Sequence, residues 1–309
     1  MLRIHALPEL KSPALLCAFS GWADAANAAS GALRYLLLKK EGERIAEFDP
    51  DSLYVYTATR PLTIQERVGL RRLQWPELTW TVLRVPEGEH DLVILVGPEP
   101  DLRWRECVDA IGSLAVRLGV TRVLTFGGFL AQVHYAGPPA MLGISSHPEL
   151  RERLRRLGIE ESNYQGPTGF VTAVLREASD RGIPAASLWI AAPSYLSGTS
   201  NPKLAAALLQ AAEQLLDQEL WLEELQAAGR DMERRIDEAL RARPDLAGFL
   251  RRLSGEPEEP DTSIQPREEA NAAGQEGEAD LPSPEEVLRD LEEHLRRLKE
   301  EGNPGLGDG

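Results

Sequence analysis

Cysteine is nearly missing from this 309-residue sequence, which has only Cys17 and Cys107. Two thiols exclude a disulfide framework and a zinc-finger pattern. Each sits in apolar surroundings, where the expected role is a small buried hydrophobe rather than a reactive thiol. No run stays apolar for the roughly 18 residues that a membrane span needs. The opening MLRIHALPEL lacks the charged-then-apolar layout of a secretory signal. A cytoplasmic protein with no membrane partner is therefore expected. The phosphate-cradling loops G-x-x-x-x-G-K-[ST] and G-x-G-x-x-G are absent, and so is the G-x-S-x-G nucleophile elbow. The histidines, at 5, 90, 134, 147 and 294, lack metal-ligand spacing. No catalytic residue, metal ligand or cofactor is assigned, and the weight falls on a protein that is not an enzyme.

Positive charge is also short. The net charge is −15, and residues 254–309 carry seventeen acidic against five basic side chains, leaving −3 for residues 1–253. A near-neutral body with an acidic tail offers no basic face for phosphates, so nucleic acid is not an expected partner.

What is present is organised around residues 13–38, PALLCAFSGWADAANAASGALRYLLL. An apolar run over 14–19 predicts a buried strand. Ser20-Gly21-Trp22-Ala23-Asp24 breaks it. Ala25, Ala28, Ala29, Ala32, Leu33, Leu36 and Leu37 then recur at helical spacing, with Asp24 placed to cap the helix. In an open α/β sheet such a loop lies at the carboxyl edge, where ligands usually bind. Further strands are predicted at 2–6, 44–48, 53–57, 79–85, 91–97, 121–126, 141–144 and 185–192. Helices are predicted at 101–118, 148–157, from 166–169 to about 181, and from Asn201-Pro202 onward. The uninterrupted DLVILVG of 91–97 suits the centre of a parallel sheet covered on both faces. The expected fold is α/β, a mostly parallel sheet sandwiched by helices.

Four regions follow from composition. Residues 1–219 form the α/β core domain. Residues 220–253 form a charged helical extension broken at Pro244. Residues 254–282, rich in Glu, Pro, Gly and Ala, form an acidic disordered linker. Residues 283–300 form a C-terminal amphipathic helix with Val287, Leu288, Leu291, Leu295 and Leu298 on one stripe. A helix that short is marginal alone in water, so it is expected to dock on this chain, a sister chain or a partner.

Candidate ligand-binding residues lie in the strand-end loops. Gly21, Trp22 and Asp24 could contact a polar ligand, or Asp24 could simply cap its helix. Arg60 could hold an anion or form a surface ion pair. Gly97, Glu99 and Arg103 could face a cleft with Arg60, or Glu99 and Arg103 could pair with each other. Gly127 and Gly128 permit close backbone approach. Gly166 and Thr168 open a helix whose free N–H groups could meet an anion, with capping by Thr168 as the alternative. Lys203 lies in the first turn of its helix, where a cation opposes the helix dipole, and this points to a specific partner.

Seven blocks in order carry a family resemblance: GWADAANAASGAL, the Arg60-Pro61 pair, DLVILVGPEPDLRWR, GVTRVLTFGGFLA, NYQGPTG, GIPAASLWIAAPSYL and NPKLAAALL. Together they resemble the proteasome assembly chaperone 2 family, bacterial branch, over about residues 2–216, and the extension to about 253 also fits that branch. The resemblance implies an α/β sandwich similar to the purine nucleoside phosphorylase fold. It implies homo-oligomers, with a trimer expected. Eukaryotic and archaeal relatives help assemble proteasome α-rings, while bacterial members have no settled role. Archaeal relatives dock through a C-terminal hydrophobic–Tyr–any-residue motif. The closing Leu306-Gly307-Asp308-Gly309 lacks that Tyr, so this docking mode is not expected. Two functional readings result. The first is a non-catalytic, assembly-chaperone-like or scaffold protein that acts on the proteasome or another protein complex. The alternative is a binding protein or enzyme for a nucleoside-like or anionic small molecule held by the strand-end loops.

Overall fold

The structure is a computed structural model that describes residues 1–67, 69–196 and 198–242. The part of the helical extension beyond Ala242, the acidic linker and the last amphipathic helix lie outside the described residues.

In chain order the elements are β1 (Leu2–Ile4), β2 (Ala14–Ser20), α1 (Ala28–Lys39), β3 (Glu43–Phe48), β4 (Leu62–Arg67), β5 (Leu70–Gln74), β6 (Thr79–Leu83), β7 (Leu92–Pro98), α2 (Trp104–Arg117), β8 (Arg122–Ala131), β9 (Met141–Ser145), α3 (Pro148–Arg156), β10 (Glu160–Glu161), α4 (Phe170–Asp180), β11 (Ala185–Pro193), α5 (Pro202–Leu216) and α6 (Glu223–Ala242). Nine strands form one sheet in the order β1-β3-β6-β7-β2-β8-β11-β9-β10. Its centre, β7-β2-β8-β11, is parallel. Both flanks turn antiparallel, at β6 against β7 and at β9 against β11.

Alternation along β2 assigns the two faces. Ala14, Leu16 and Ala18 join α1, α3 and α5 in one core. Leu15, Cys17 and Phe19 join α2 and α4 in the other. The central strands read as continuous apolar runs because both faces are covered. This is the expected mostly parallel sheet sandwiched by helices. Both cysteines are buried, and desolvation holds the thiols protonated, with that of Cys107 pushed up to about 12.

Residues 53–57 do not form the strand that their β-branched and aromatic alternation predicts. Pro50–Ser52 makes a 3-10 turn, and Leu53 and Tyr54 donate back to the Pro50 carbonyl at 3.0 and 2.9 Å. The loop after β7 supplies the remaining partners. Asp101 Oδ2 accepts from Val55 N at 2.8 Å and from the Thr59 hydroxyl at 3.0 Å. Backbone polar groups that a sheet ladder would pair are paired by a turn. The strand predicted at 121–126 instead continues through Gly127 and Gly128 to Ala131.

The helix α6 is held against α5 at several points. Lys203 Nζ donates to the carbonyls of Tyr135 and Gly137 at 3.0 and 2.7 Å and pairs with Glu233. The Tyr135 hydroxyl donates to Asp237, and Ile236 is buried with Tyr135, Tyr195 and Leu196.

Candidate functional site

The loop after β2 begins at Gly21, whose φ of +138° favours glycine. It leaves Trp22 64 % exposed and turns Asp24 inward to 5 %. Gly128 N donates to the Ala23 carbonyl at 2.8 Å, and a Cβ on Gly128 would lie 2.9 Å from the Ala25 carbonyl oxygen. Asp24 Oδ1 accepts from Ala29 N at 2.9 Å and Ser30 N at 3.1 Å in the first turn of α1. The carboxylate thus reaches over the intervening turn Ala25–Asn27, in which Ala26 and Asn27 take φ of 55° and 48°. Asp24 Oδ2 is buried with no hydrogen-bond partner among the described residues. Burial raises the Asp24 pKa above the ordinary carboxylate value, opposed by its hydrogen bonds from Ser30 and Ala29 and by Arg34.

The loop after β7 closes onto the same corner. Glu99 N donates to the Ser20 carbonyl at 2.8 Å, and Glu99 Oε1 accepts from Phe170 N at 2.6 Å. Glu99 therefore supplies the cap of α4, whose own preceding residue is Gly169. Thr168 is exposed and makes no cap. Arg103 pairs with Glu106, Nε to Oε1 at 3.0 Å, and not with Glu99. Arg60 is exposed in the segment before β4. Gly97 has Glu77 against it, and a Cβ there would lie 2.2 Å from the Glu77 carbonyl oxygen. Lys203 is engaged at α6, as described above.

Beside this corner lies a groove of about 570 Å³ lined by Trp22, Phe129, Leu142, Ile144, Trp189, Ser162 and residues 164–169, with Thr172 at its end. Of the twelve residues predicted from the sequence, Trp22, Gly166 and Thr168 line it. Gly127 contributes indirectly. It faces Trp189 in register across β8 and β11, and a Cβ on it would lie 2.6 Å from the indole. Asp24, Arg60, Glu99, Arg103 and Lys203 do not line the groove, and among the described residues no Asp, Glu, Lys, Arg or His does. Sequence reasoning missed Trp189, Tyr164, Phe129, Leu142 and Ile144. The available signal was Trp189, the only aromatic within the apolar run AASLWIAA. An uncharged groove walled by aromatic and aliphatic side chains can bury apolar groups, but it cannot neutralise a phosphate.

These features define the class: a three-layer α/β protein whose strand-end loops frame an apolar groove while Asp24, Glu99 and Arg103 are held by the fold itself. The chain belongs to the PAC2 family, which matches residues 18–240. A PAC2 family protein from Streptomyces avermitilis MA is 36 % identical, with 73 % of this chain and 95 % of that one covered at a TM-score of 0.67. A proteasome-assembly chaperone homologue from Mycobacterium tuberculosis is 33 % identical, with 77 % and 99 % covered at 0.68. An archaeal proteasome activator from Pyrococcus furiosus, 17 % identical with 77 % and 98 % covered at 0.62, shares the fold. A search of curated proteins finds none that matches.

Proposed function

We propose that this chain is a non-catalytic, assembly-chaperone-like or scaffold protein that works as a homo-oligomer, with a trimer expected, on the proteasome or another protein complex. The observation that carries this reading is the fate of the polar loop residues. Asp24 and Glu99 cap helices of the same chain, Arg103 pairs with Glu106, and Lys203 pins α6. What the sheet edge presents outward is an uncharged, aromatic-walled groove, a surface suited to protein partners. The names of the solved relatives, a proteasome-assembly chaperone homologue and a proteasome activator, support the same reading. Among the described residues no helix is long and apolar enough to cross a membrane. The cytoplasm is part of the proposal, as the compartment where such complexes assemble.

The test is a tagged pull-down from host lysate, read by mass spectrometry. Stoichiometric capture of proteasome subunits or of another ring-forming complex is expected, and recovery of the bait alone overturns the reading. The alternative, a small-molecule site, has one supporting observation: about 570 Å³ lies within the range of ligand pockets. The missing charges direct it to an uncharged ligand rather than an anionic one. A thermal-shift panel of nucleosides, nucleotides and phosphate esters is expected to give no shift.

A further inference from the structure

Residues 62–74 stand apart from everything else in the fold. Among the described residues, the strands β4 and β5 pair only with each other and form a separate two-stranded sheet. Ten of their eleven residues are exposed and Ile64 is half-buried. Leu62, Leu70 and Leu73 are 62, 42 and 53 % exposed. An isolated two-stranded ribbon is marginally stable at best in water, so this arm needs a cover. Its charge also differs from that of the body. Residues 60–75 hold four arginines and one glutamate, net +3, while the rest of residues 1–242 carries twenty-two basic against thirty acidic side chains, net −8.

The groove offers the complementary surface. Trp22 and Tyr164 on its walls are 64 and 62 % exposed. The strand β10 is the end strand of the nine-stranded sheet, and its Glu160 and Glu161 are both exposed. The next residue, Ser162, lines the groove. Glu160, in register with the groove residue Leu142, shares the groove face, whereas Glu161, in register with Gly143, lies on the α3 face. An apolar groove with an edge strand and one carboxylate beside it thus lies on a chain that also carries an apolar, basic ribbon. No described arm residue lines the groove of its own chain. The arm leaves the sheet before β6, five strand positions from β9 in the sheet order. At about 4.8 Å per position that is roughly 24 Å away.

We propose that the β4–β5 arm of one copy docks in the groove of a second copy, with its leucines against Trp22 and Tyr164 and with Arg67 facing Glu160. A second copy is the occupant because the arm and its complement occur on every chain in equal number. The contact joins different surfaces, so it is head-to-tail and closes into a ring when the rotation allows. This rests on the oligomeric part of the proposed function and names the surface that makes it.

Sedimentation velocity of the full chain over a concentration series tests the contact. The variants are replacement of residues 62–74 by a short Gly-Ser turn, R67E, E160R, and the last two combined. Leu62 pairs with Gln74, so the arm can be removed at its base. It contributes no residue to any of the buried cores, so the thermal melt is expected to stay in place. The intact chain is expected to associate. Arm removal and either charge reversal should weaken association by roughly tenfold or more, and the combined reversal should restore it. A monomeric intact chain, an unchanged mass after arm removal, or a combined variant as weak as its parents overturns the proposal. A second measurement uses L73C/Y164C, with Cys17 and Cys107 buried. Mild oxidation should link chains to each other, and a failure to do so counts against the contact. The mass needs no host protein, so an oligomer that survives arm removal defeats the arm contact and leaves the scaffold reading standing.

Discussion

The corner where β2 and β7 end and the β4–β5 arm contain similar kinds of residue and treat them in opposite ways. At the corner, the Asp24 and Glu99 carboxylates turn inward to backbone N–H groups of α1 and α4. In the arm, Arg67, Arg71 and three leucines face water. Polarity does not decide which region meets the outside. The corner has helix N-termini whose orphan donors need acceptors, and they take its carboxylates. Among the described residues the arm's strands join no other strand and enter none of the buried cores, so even its leucines stay exposed.

Truncation at the corner is therefore expected to cost far more than in the arm. The largest effect is expected for Phe170→Ala. Phe170 is fully buried, edge-on to Phe19 at 4.8 Å and to Trp104 at 5.3 Å. A loss of about 3–5 kcal/mol in urea unfolding is expected. Next is Gly127→Ala, which puts a methyl group into the Trp189 indole. A loss of about 1–3 kcal/mol is expected, with a change in Trp fluorescence that reports the groove wall. Glu99→Ala removes the cap of α4 and should cost about 1–2 kcal/mol. A Glu99→Ala variant as stable as the parent would show that the corner is not held from within.

Asp24→Asn sharpens the contrast through pH. The folded pKa of Asp24 is raised, with burial as the largest cause. A carboxyl that binds its proton more tightly when folded contributes most below its unfolded pKa, and that contribution falls as pH rises through the folded value. The denaturation midpoint of the parent relative to Asp24→Asn should therefore decline from acidic pH toward neutrality. A difference that is flat in pH would remove the desolvated carboxylate from the account. The smallest effect is expected for Leu73→Ala in the arm, within about 0.5 kcal/mol of the parent under conditions where the chain is monomeric.

Much of the fold was legible because its signals are local. DLVILVG announces a strand buried on both faces, and Asn201-Pro202 announces a helix start that the structure bears out, with Asn201 Oδ1 accepting from Leu204 N at 3.2 Å. Residues 53–57 misled because alternation records side-chain pattern, while their backbone N–H groups found partners in the Pro50 carbonyl and in Asp101. The groove was less legible for a related reason. Trp189 lines it because Gly127 is its cross-strand neighbour, a pairing 62 residues apart that no window of sequence shows. Glu99 and Arg103 were read as facing a common cleft or pairing with each other. Their actual partners, Phe170 N and Glu106, lie in one case far along the chain and in the other a single helical turn away.

The bond from Glu99 to Phe170 also sets an order of events. Glu99 leaves the ribosome 71 residues ahead of the N–H that it caps. The β2–β7 pairing that positions it lies wholly within the earlier part of the chain. The acceptor is therefore already in the nascent chain when α4 emerges, and the helix needs no later segment of the chain for its cap.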